Sequence, residues 1–313
     1  MERVRLVEID YSSVRAELDT GAPKKFNTCF HTEAEAPGFP VPSSFPYAFD
    51  RWLPLILESR GLDPSVCQTV SLSRSQIATI LNAAKSSIHT GELSRAFGED
   101  LEDEVHPAFT GLRFPPEGLF LRLGACSLKD AATGGQLAAR SVEDAVRQVS
   151  TSLRAYITLT NILKTDDASA EILCVPFDAR MDTAQEYRVF CVPETLRISA
   201  VSQYKWHKPW VFASKSPTER QEISETIMQG IHSVHASIIA RLQPRGSNAL
   251  DDMVYSQGFS FDVLNVAGGD SFLLVELNSF GIRGACGSCL FQWLKDKDIL
   301  YETSGPVEFR VTV

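Results

Sequence analysis

Apolar residues recur at the helical period in some segments and at the strand period in others, and the strand-like segments dominate the second half. The clearest helix is 217–242, where Ile223, Ile227, Ile231, Val234, Ile238 and Leu242 form one apolar stripe. Ser216 stands at its N-cap, Pro217 at its first position and Glu219 completes a capping box. Pro244-Arg245-Gly246 ends it. Ile77, Ile80, Leu81 and Ala84 mark a second helix from Ser73 to about Ser87. A third opens at Ser141, with Asp144 as its capping-box partner and Val142, Ala145, Val149 and Leu153 following. Strand patterns run over 119–123, 170–175, 186–192 and 196–204, with Pro193-Glu194 as the turn between the last two. Residues 36–46 are Pro-rich and predict an extended loop. Residues 98–107 carry five acids before a proline and predict a mobile acidic loop. No internal repeat is present. Hairpins with separate long helices predict an α+β fold with helix-covered antiparallel sheets rather than a doubly wound parallel one.

The segment 259–278, FSFDVLNVAGGDSFLLVELN, places polar groups where a buried sheet should have none. Two apolar strands flank a Gly-Gly-Asp turn, Asp262 interrupts the first and Glu276 and Asn278 close the second. Period-two alternation puts Glu276 and Asn278 on one face. A three-residue turn would place Asp262 opposite Glu276, whereas a two- or four-residue turn would shift the pairing by one and flip the face. Two carboxylates and an amide oxygen on one face repel unless a cation lies between them. Such hard oxygen donors suit magnesium, which usually arrives with nucleotide phosphates. The competing reading is a polar edge facing solvent.

Composition narrows the class. The chain has 313 residues, 44% hydrophobic, enough for one large domain or two intimate ones. Its formal net charge is −9, and no Lys/Arg cluster stands out, which argues against nucleic-acid binding. The charged N-terminus lacks the apolar run of a signal peptide, and no segment approaches a membrane span. Seven scattered cysteines, some inside strand-like runs, predict a cytoplasmic protein with reduced thiols.

Several basic residues are candidates for phosphate binding. Arg122 lies within the strand LFLRL, and its side chain either snorkels to the surface or meets an anion. Lys129 follows in a loop whose Gly134-Gly135 pair could let backbone N–H groups approach a phosphate. Arg188, inside EYRVF, needs a partner, either a carboxylate such as Glu186 or a phosphate. The segment CVPFD, 174–178, either offers backbone groups and Phe177 to an adenine or is a plain strand end. Cys286-Gly287-Ser288-Cys289 is a lone CxxC. A zinc site there would need His232 or His235, and free cysteines are the simpler expectation. No GxSxG elbow or Ser/His/Asp order points to a hydrolase.

Several of these segments, in order from about residue 119 to 294, together resemble the cell division cycle protein 123 family. FLRLGACSLKDA is similar to its strand and loop, EYRVFCV and RISAVSQYKW to its central strands, and SFDVL, LLVELNSFG and LFQW to its ending. The resemblance implies an ATP-grasp fold, with two α+β lobes holding ATP between them, and here a division into 1–165 and 166–313. It implies Asp262, Glu276 and Asn278 as magnesium ligands and Lys129, Arg122 and Arg188 as phosphate-binding cations. It also places Pro176, Phe177 and Asp178 at the adenine hinge. Departures are present: Glu276-Leu277-Asn278-Ser279 replaces Asp-Phe-Asn-Pro, Arg122 replaces a lysine, and IRGACGSC replaces the segment after Phe-Gly.

The leading expectation is an ATP- and magnesium-dependent ligase that joins a small-molecule carboxylate to an amine through an acyl phosphate. Lys129 and Arg188 would stabilise the transferring phosphoryl group. Arg283 would clamp the substrate carboxylate, against the reading of a solvated loop arginine. The alternative is an ATP-binding assembly chaperone for translation initiation factor two, with a subunit of that factor as partner. A kinase on the same scaffold is a weaker third.

Overall fold

A computed structural model describes residues 3–22, 24–132, 137–266, 269 and 271–313. The chain forms two compact units, one from residues up to Gly61 together with Arg180–Val313, the other Leu62–Ala179. This differs from a break near 165. The N-terminal strand completes the sheet of the C-terminal half, so the smaller unit is an insertion into the larger.

The larger unit holds a six-stranded sheet. In chain order, its strands are β1 (Val4–Ile9), β6 (Glu186–Cys191), β7 (Ile198–Gln203), β8 (Phe259–Asn265), β9 (Phe272–Ser279) and β10 (Val307–Thr312), arranged β1-β10-β7-β6-β8-β9. The pairs β6/β7, β6/β8 and β8/β9 are antiparallel, but β1/β10 and β10/β7 are parallel. The expectation of antiparallel sheets therefore fails at one end, where the two chain termini lie side by side.

The helix Pro217–Arg241 covers one face of this sheet. Its capping box forms as expected: the Ser216 hydroxyl accepts from the Glu219 amide and the Glu219 carboxylate accepts from the Ser216 amide. Ile227, Ile231, Val234 and Ile238 are buried. His235 lies nearly parallel to Phe259 and Phe261 of β8 with ring centroids 6.0 and 6.2 Å away, and its Nε2 is 2.8 Å from the Leu196 carbonyl. The loop after β9 lies on the opposite face. There Trp293 donates to the Cys286 carbonyl, and Phe190 meets Phe291 and Trp293 edge-on.

The smaller unit holds a four-stranded antiparallel sheet of β2 (Gln68–Leu72), β3 (Leu119–Leu123), β4 (Cys126–Ser127) and β5 (Ala170–Pro176), in the order β2-β5-β3-β4. Leu119, Leu121 and Leu123 share a core with Ile77, Ile80, Val149 and Leu159. Two expectations change here. The acidic segment is not a loop but a run of short helical turns, Gly98–Asp100, Leu101–Val105 and His106–Phe109. Leu101, Val105 and Phe109 recur every four residues and are fully or nearly fully buried in that core, which outweighs the solvated acids between them. The helix opened by Ser141 ends at Thr151. Ser152 then caps a second helix, Leu153–Ile162, by accepting from the Ala155 amide, which turns Leu153 out to solvent. The Asp144 carboxylate accepts from the Arg140 amide instead of closing a box on Ser141.

Candidate functional site

The site grows from the alternation of β8. Phe259, Phe261 and Val263 face the long helix, so Ser260 and Asp262 face the other side of the sheet. The register extends that side into a row of polar residues across five strands: Arg310, Ser202, Arg188, Asp262 and Glu276 are consecutive cross-strand neighbours. Near the hairpin turn, Val263 pairs with Leu274 and Asn265 with Phe272, a register that would set Asp262 opposite Val275. A bulge between Asp262 and Val263 skips one residue of β9 and brings Asp262 opposite Glu276. The expected pairing is thus reached through a bulge rather than a three-residue turn. Of the Gly-Gly-Asp sequence, Gly268 and Asp270 lie outside the described residues, as do Gly134 and Gly135.

The protein itself supplies a cation to this face, on the side of Asp262 away from Glu276. Arg188 donates from Nε to Asp262 Oδ1 at 2.8 Å and from Nη2 to Oδ2 at 2.7 Å. Its Nη1 donates to the Gly287 carbonyl at 2.8 Å, and its guanidinium lies 5.0 Å from the centre of the Tyr204 ring. The partner of Arg188 is therefore a carboxylate, Asp262 rather than Glu186. Asp262 is completely buried and Arg188 is 7% exposed. Burial disfavours the Arg188 charge, but the Asp262 carboxylate outweighs it and holds the guanidinium pKa above its usual range. Glu276 and Asn278 are half-buried, and the Asn278 amide nitrogen lies 3.5 Å from Glu276 Oε1.

The loop 285–296 covers this polar face. Ser202 Oγ accepts from the Leu290 amide, Arg310 forms a two-point pair with Asp296, and Ser260 Oγ lies 3.0 Å from Cys286 Sγ. All seven cysteines are free thiols. Burial pushes Cys286 up to about 11 and Cys289 higher still, so neither is a thiolate near neutral pH. His232 and His235 belong to the helix on the opposite face. Among the described residues no group of three His, Cys, Asp or Glu side chains is placed to hold a metal ion.

The donor set of β8 and β9 can be tested against a magnesium–nucleotide pair. Glu276 and Asn278 fit: they are adjacent on one face, partly exposed and carry hard oxygens. Asp262 is engaged by Arg188 in a two-point pair. In the smaller unit Lys129 is exposed, and its neighbour Asp130 accepts from Ser152 Oγ at 2.7 Å and from the Arg154 amide at 3.0 Å. Arg122 is 6% exposed on β3 between Ser127 and Leu173, with Nε 3.4 Å from the Leu123 carbonyl, so it does not snorkel to the surface. Pro176, Phe177 and Asp178 are half-buried at the end of β5. The Phe177 amide donates to the Gly118 carbonyl at 2.9 Å and is engaged within the unit. Arg283 is not a solvated side chain. Its Nη1 pairs with Glu33 and donates to the Phe39 carbonyl, tying two loops together.

Sequence reasoning missed the surroundings of Arg188. A cavity of about 320 Å³ opens beside it, lined among others by Asn27, Cys29, Tyr204, Lys205, Trp206 and His207. The segment QYKWH follows directly on a legible strand, but nothing in it foretells convergence with residues 27–29. Burial, then Lys208 and Lys205, lowers the His207 pKa, and burial raises that of Cys29 despite Arg188 nearby.

No family model and no curated protein matches the chain. Solved structures do. Cdc123 from Schizosaccharomyces pombe is 17% identical, with a TM-score of 0.53 over 91% of this chain and 99% of that one. A C-terminally truncated form of Cdc123 from the same organism gives 0.56 at the same identity and coverage. The chain therefore shares the α+β fold of Cdc123. No helix of the described residues is long and apolar enough to cross a membrane.

Proposed function

We propose that this protein is an ATP-binding assembly factor of the Cdc123 kind, acting in the cytoplasm on a subunit of translation initiation factor two. The observation that carries the reading is the fold likeness over 91% of the chain, joined to the polar row on β6, β8 and β9. On this reading the fold is ATP-grasp and the nucleotide is ATP with magnesium. Glu276 and Asn278, with Asp262 behind them, would hold the metal, which would supply positive charge to the phosphates. Lys129 and Arg122 offer cations to the phosphates. Pro176, Phe177 and Asp178 contact the adenine through groups other than the Phe177 amide. Arg188 holds Asp262 ionised and oriented.

The test is calorimetric titration with ATP in the presence and absence of magnesium, followed by capture of purified translation initiation factor two subunits. Magnesium-dependent nucleotide binding, stable capture and no ADP formation are expected. Absence of nucleotide binding overturns the reading.

A second reading, the ADP-forming carboxylate–amine ligase, draws support from one local feature. Glu276-Leu277-Asn278 keeps the Glu-x-Asn order of ATP-grasp ligases at large. ADP release that requires both a carboxylate and an amine would favour it over the assembly factor.

A further inference from the structure

The six-stranded sheet has one open edge. At its β9 end the helix Phe49–Ser59 packs along the strand, and Ser59 Oγ accepts from the Leu274 amide at 3.0 Å. β1 forms the opposite end, and no residue of it is fully buried. Its neighbour β10 takes up only half of its backbone groups. The Arg3 and Ile9 carbonyls accept from the Val307 and Val313 amides, so the odd-numbered residues turn theirs toward β10. Val4, Leu6 and Glu8 turn their amides and carbonyls outward, and nothing bonds to them among the described residues. Beside this edge a groove of about 800 Å³ runs between β1 and the helix Pro217–Arg241, wholly within the larger unit. Val4, Leu6 and Met228 are its apolar lining, and Gln221, Gln229 and His232 offer hydrogen-bonding side chains. Its one carboxylate, Glu225, accepts from Gln221 at 2.8 Å. From Gln221 to His232 the helix rises about 16 Å, the length of about five strand residues. Glu8 pairs with Arg220 of that helix, which puts Val4 and Leu6 on the helix side of β1 and Arg3 and Arg5 on the other. Both arginines are exposed. Arg5 pairs with Glu308, a carboxylate that Arg310 also holds, and Arg3 has no ion pair among the described residues.

We propose that β1 is the docking edge for an extended segment of a partner protein, about five residues long, in which carboxylates alternate with apolar side chains. The segment adds as a further strand, because a polypeptide backbone carries donors and acceptors at the spacing of the free groups of Val4, Leu6 and Glu8. One face of the added strand meets Val4, Leu6 and Met228 with apolar residues. The other sets carboxylates beside Arg3 and Arg5, where a like charge would be unfavourable. Arg3, Arg5 and Glu8 also keep the open edge from pairing indiscriminately. The groove shares no residue with the nucleotide reading, so the two stand or fall separately.

The test is fluorescence anisotropy of a labelled Val-Glu-Val-Glu-Val-Glu-Val peptide titrated with the full chain, without nucleotide. The peptide is expected to bind, and its counterpart with lysine in place of glutamate to bind at least about tenfold more weakly. Two further analogues carry N-methyl groups on the valine amides or on the glutamate amides. A strand turns alternate amides to one side, so one analogue should lose at least about tenfold and the other stay within about threefold. Leu6→Pro removes an amide on the open edge and none that faces β10, a position where an edge strand tolerates proline. It should also lose at least about tenfold. Circular dichroism checks that this variant folds, and if it does not, the methylated analogues decide. No binding, equal binding of the lysine peptide, equal losses in the two methylated analogues, or undiminished binding by a folded Leu6→Pro chain would each overturn the proposal. Failure of ATP to bind would leave it standing.

Discussion

Arg188 and Asp262 face each other across β6 and β8 and close a two-point ion pair, Nε to Oδ1 at 2.8 Å and Nη2 to Oδ2 at 2.7 Å, in the middle of a six-stranded sheet. The repulsion that the carboxylates of Asp262 and Glu276 would otherwise feel is thus relieved by a resident guanidinium. Such a pair contributes little net stability when intact but is costly to break, because either partner alone is a buried, uncompensated charge.

Asp262→Ala is therefore expected to destabilise the protein by roughly 3–5 kcal/mol. The double variant Arg188→Met/Asp262→Leu should lose much less than Asp262→Ala. Urea midpoints for the single and double variants measure this. A double variant as unstable as Asp262→Ala would show that the cost lies in lost packing rather than in an unpaired charge.

Glu276 is half-buried and sits at the end of the row, so Glu276→Gln is expected to change stability by less than about 1 kcal/mol. On the proposed function it should abolish the magnesium dependence of ATP binding. Titrations with and without magnesium check this, and an unchanged metal dependence would remove Glu276 from the ligand set.

The buried thiols set an alkaline limit. Burial raises Cys286 from an ordinary 9.0 to about 11 and Cys174 to about 12. A group that loses its proton less readily in the folded state stabilises the fold below its unfolded pKa, and that contribution disappears as pH rises through the folded pKa. Stability should therefore be flat in these groups up to about pH 9 and fall between about 9 and 11 or 12, measured as urea midpoints across that range. Thiol reagents at pH 7.5 should label Cys29 and Cys67, which are half-buried, ahead of the five buried cysteines.

Gly258 opens β8 with φ +69°, and a Cβ built there would lie 2.5 Å from the Cys191 carbonyl oxygen. This oxygen and the Pro193 nitrogen, 2.8 Å from the same Cβ, are backbone atoms that cannot swing away. Gly258→Ala is expected to cost at least about 1–3 kcal/mol. Thermal unfolding would register it, and a neutral result would mean that β8 can shift along β6.

Periodicity and capping chemistry determined much of this protein without reference to its fold. The stripe from Ile227 to Ile238, the Ser216–Glu219 box and the strands around Arg122, Arg188, Asp262 and Glu276 are local signals, readable because neighbouring residues alone set the burial pattern and the cap. The tertiary structure decided matters that depend on distant partners. It paired β1 with β10 across the whole length of the chain, and it gave Arg188 to Asp262 rather than Glu186. It also skipped one residue of β9 to bring Asp262 opposite Glu276, and it gathered Cys29, Lys205 and Gly287 around one cavity. A side chain's type fixes what it can bond to. Which of several eligible partners it meets is fixed by register and chain crossing, and these emerge only when the whole sheet is assembled.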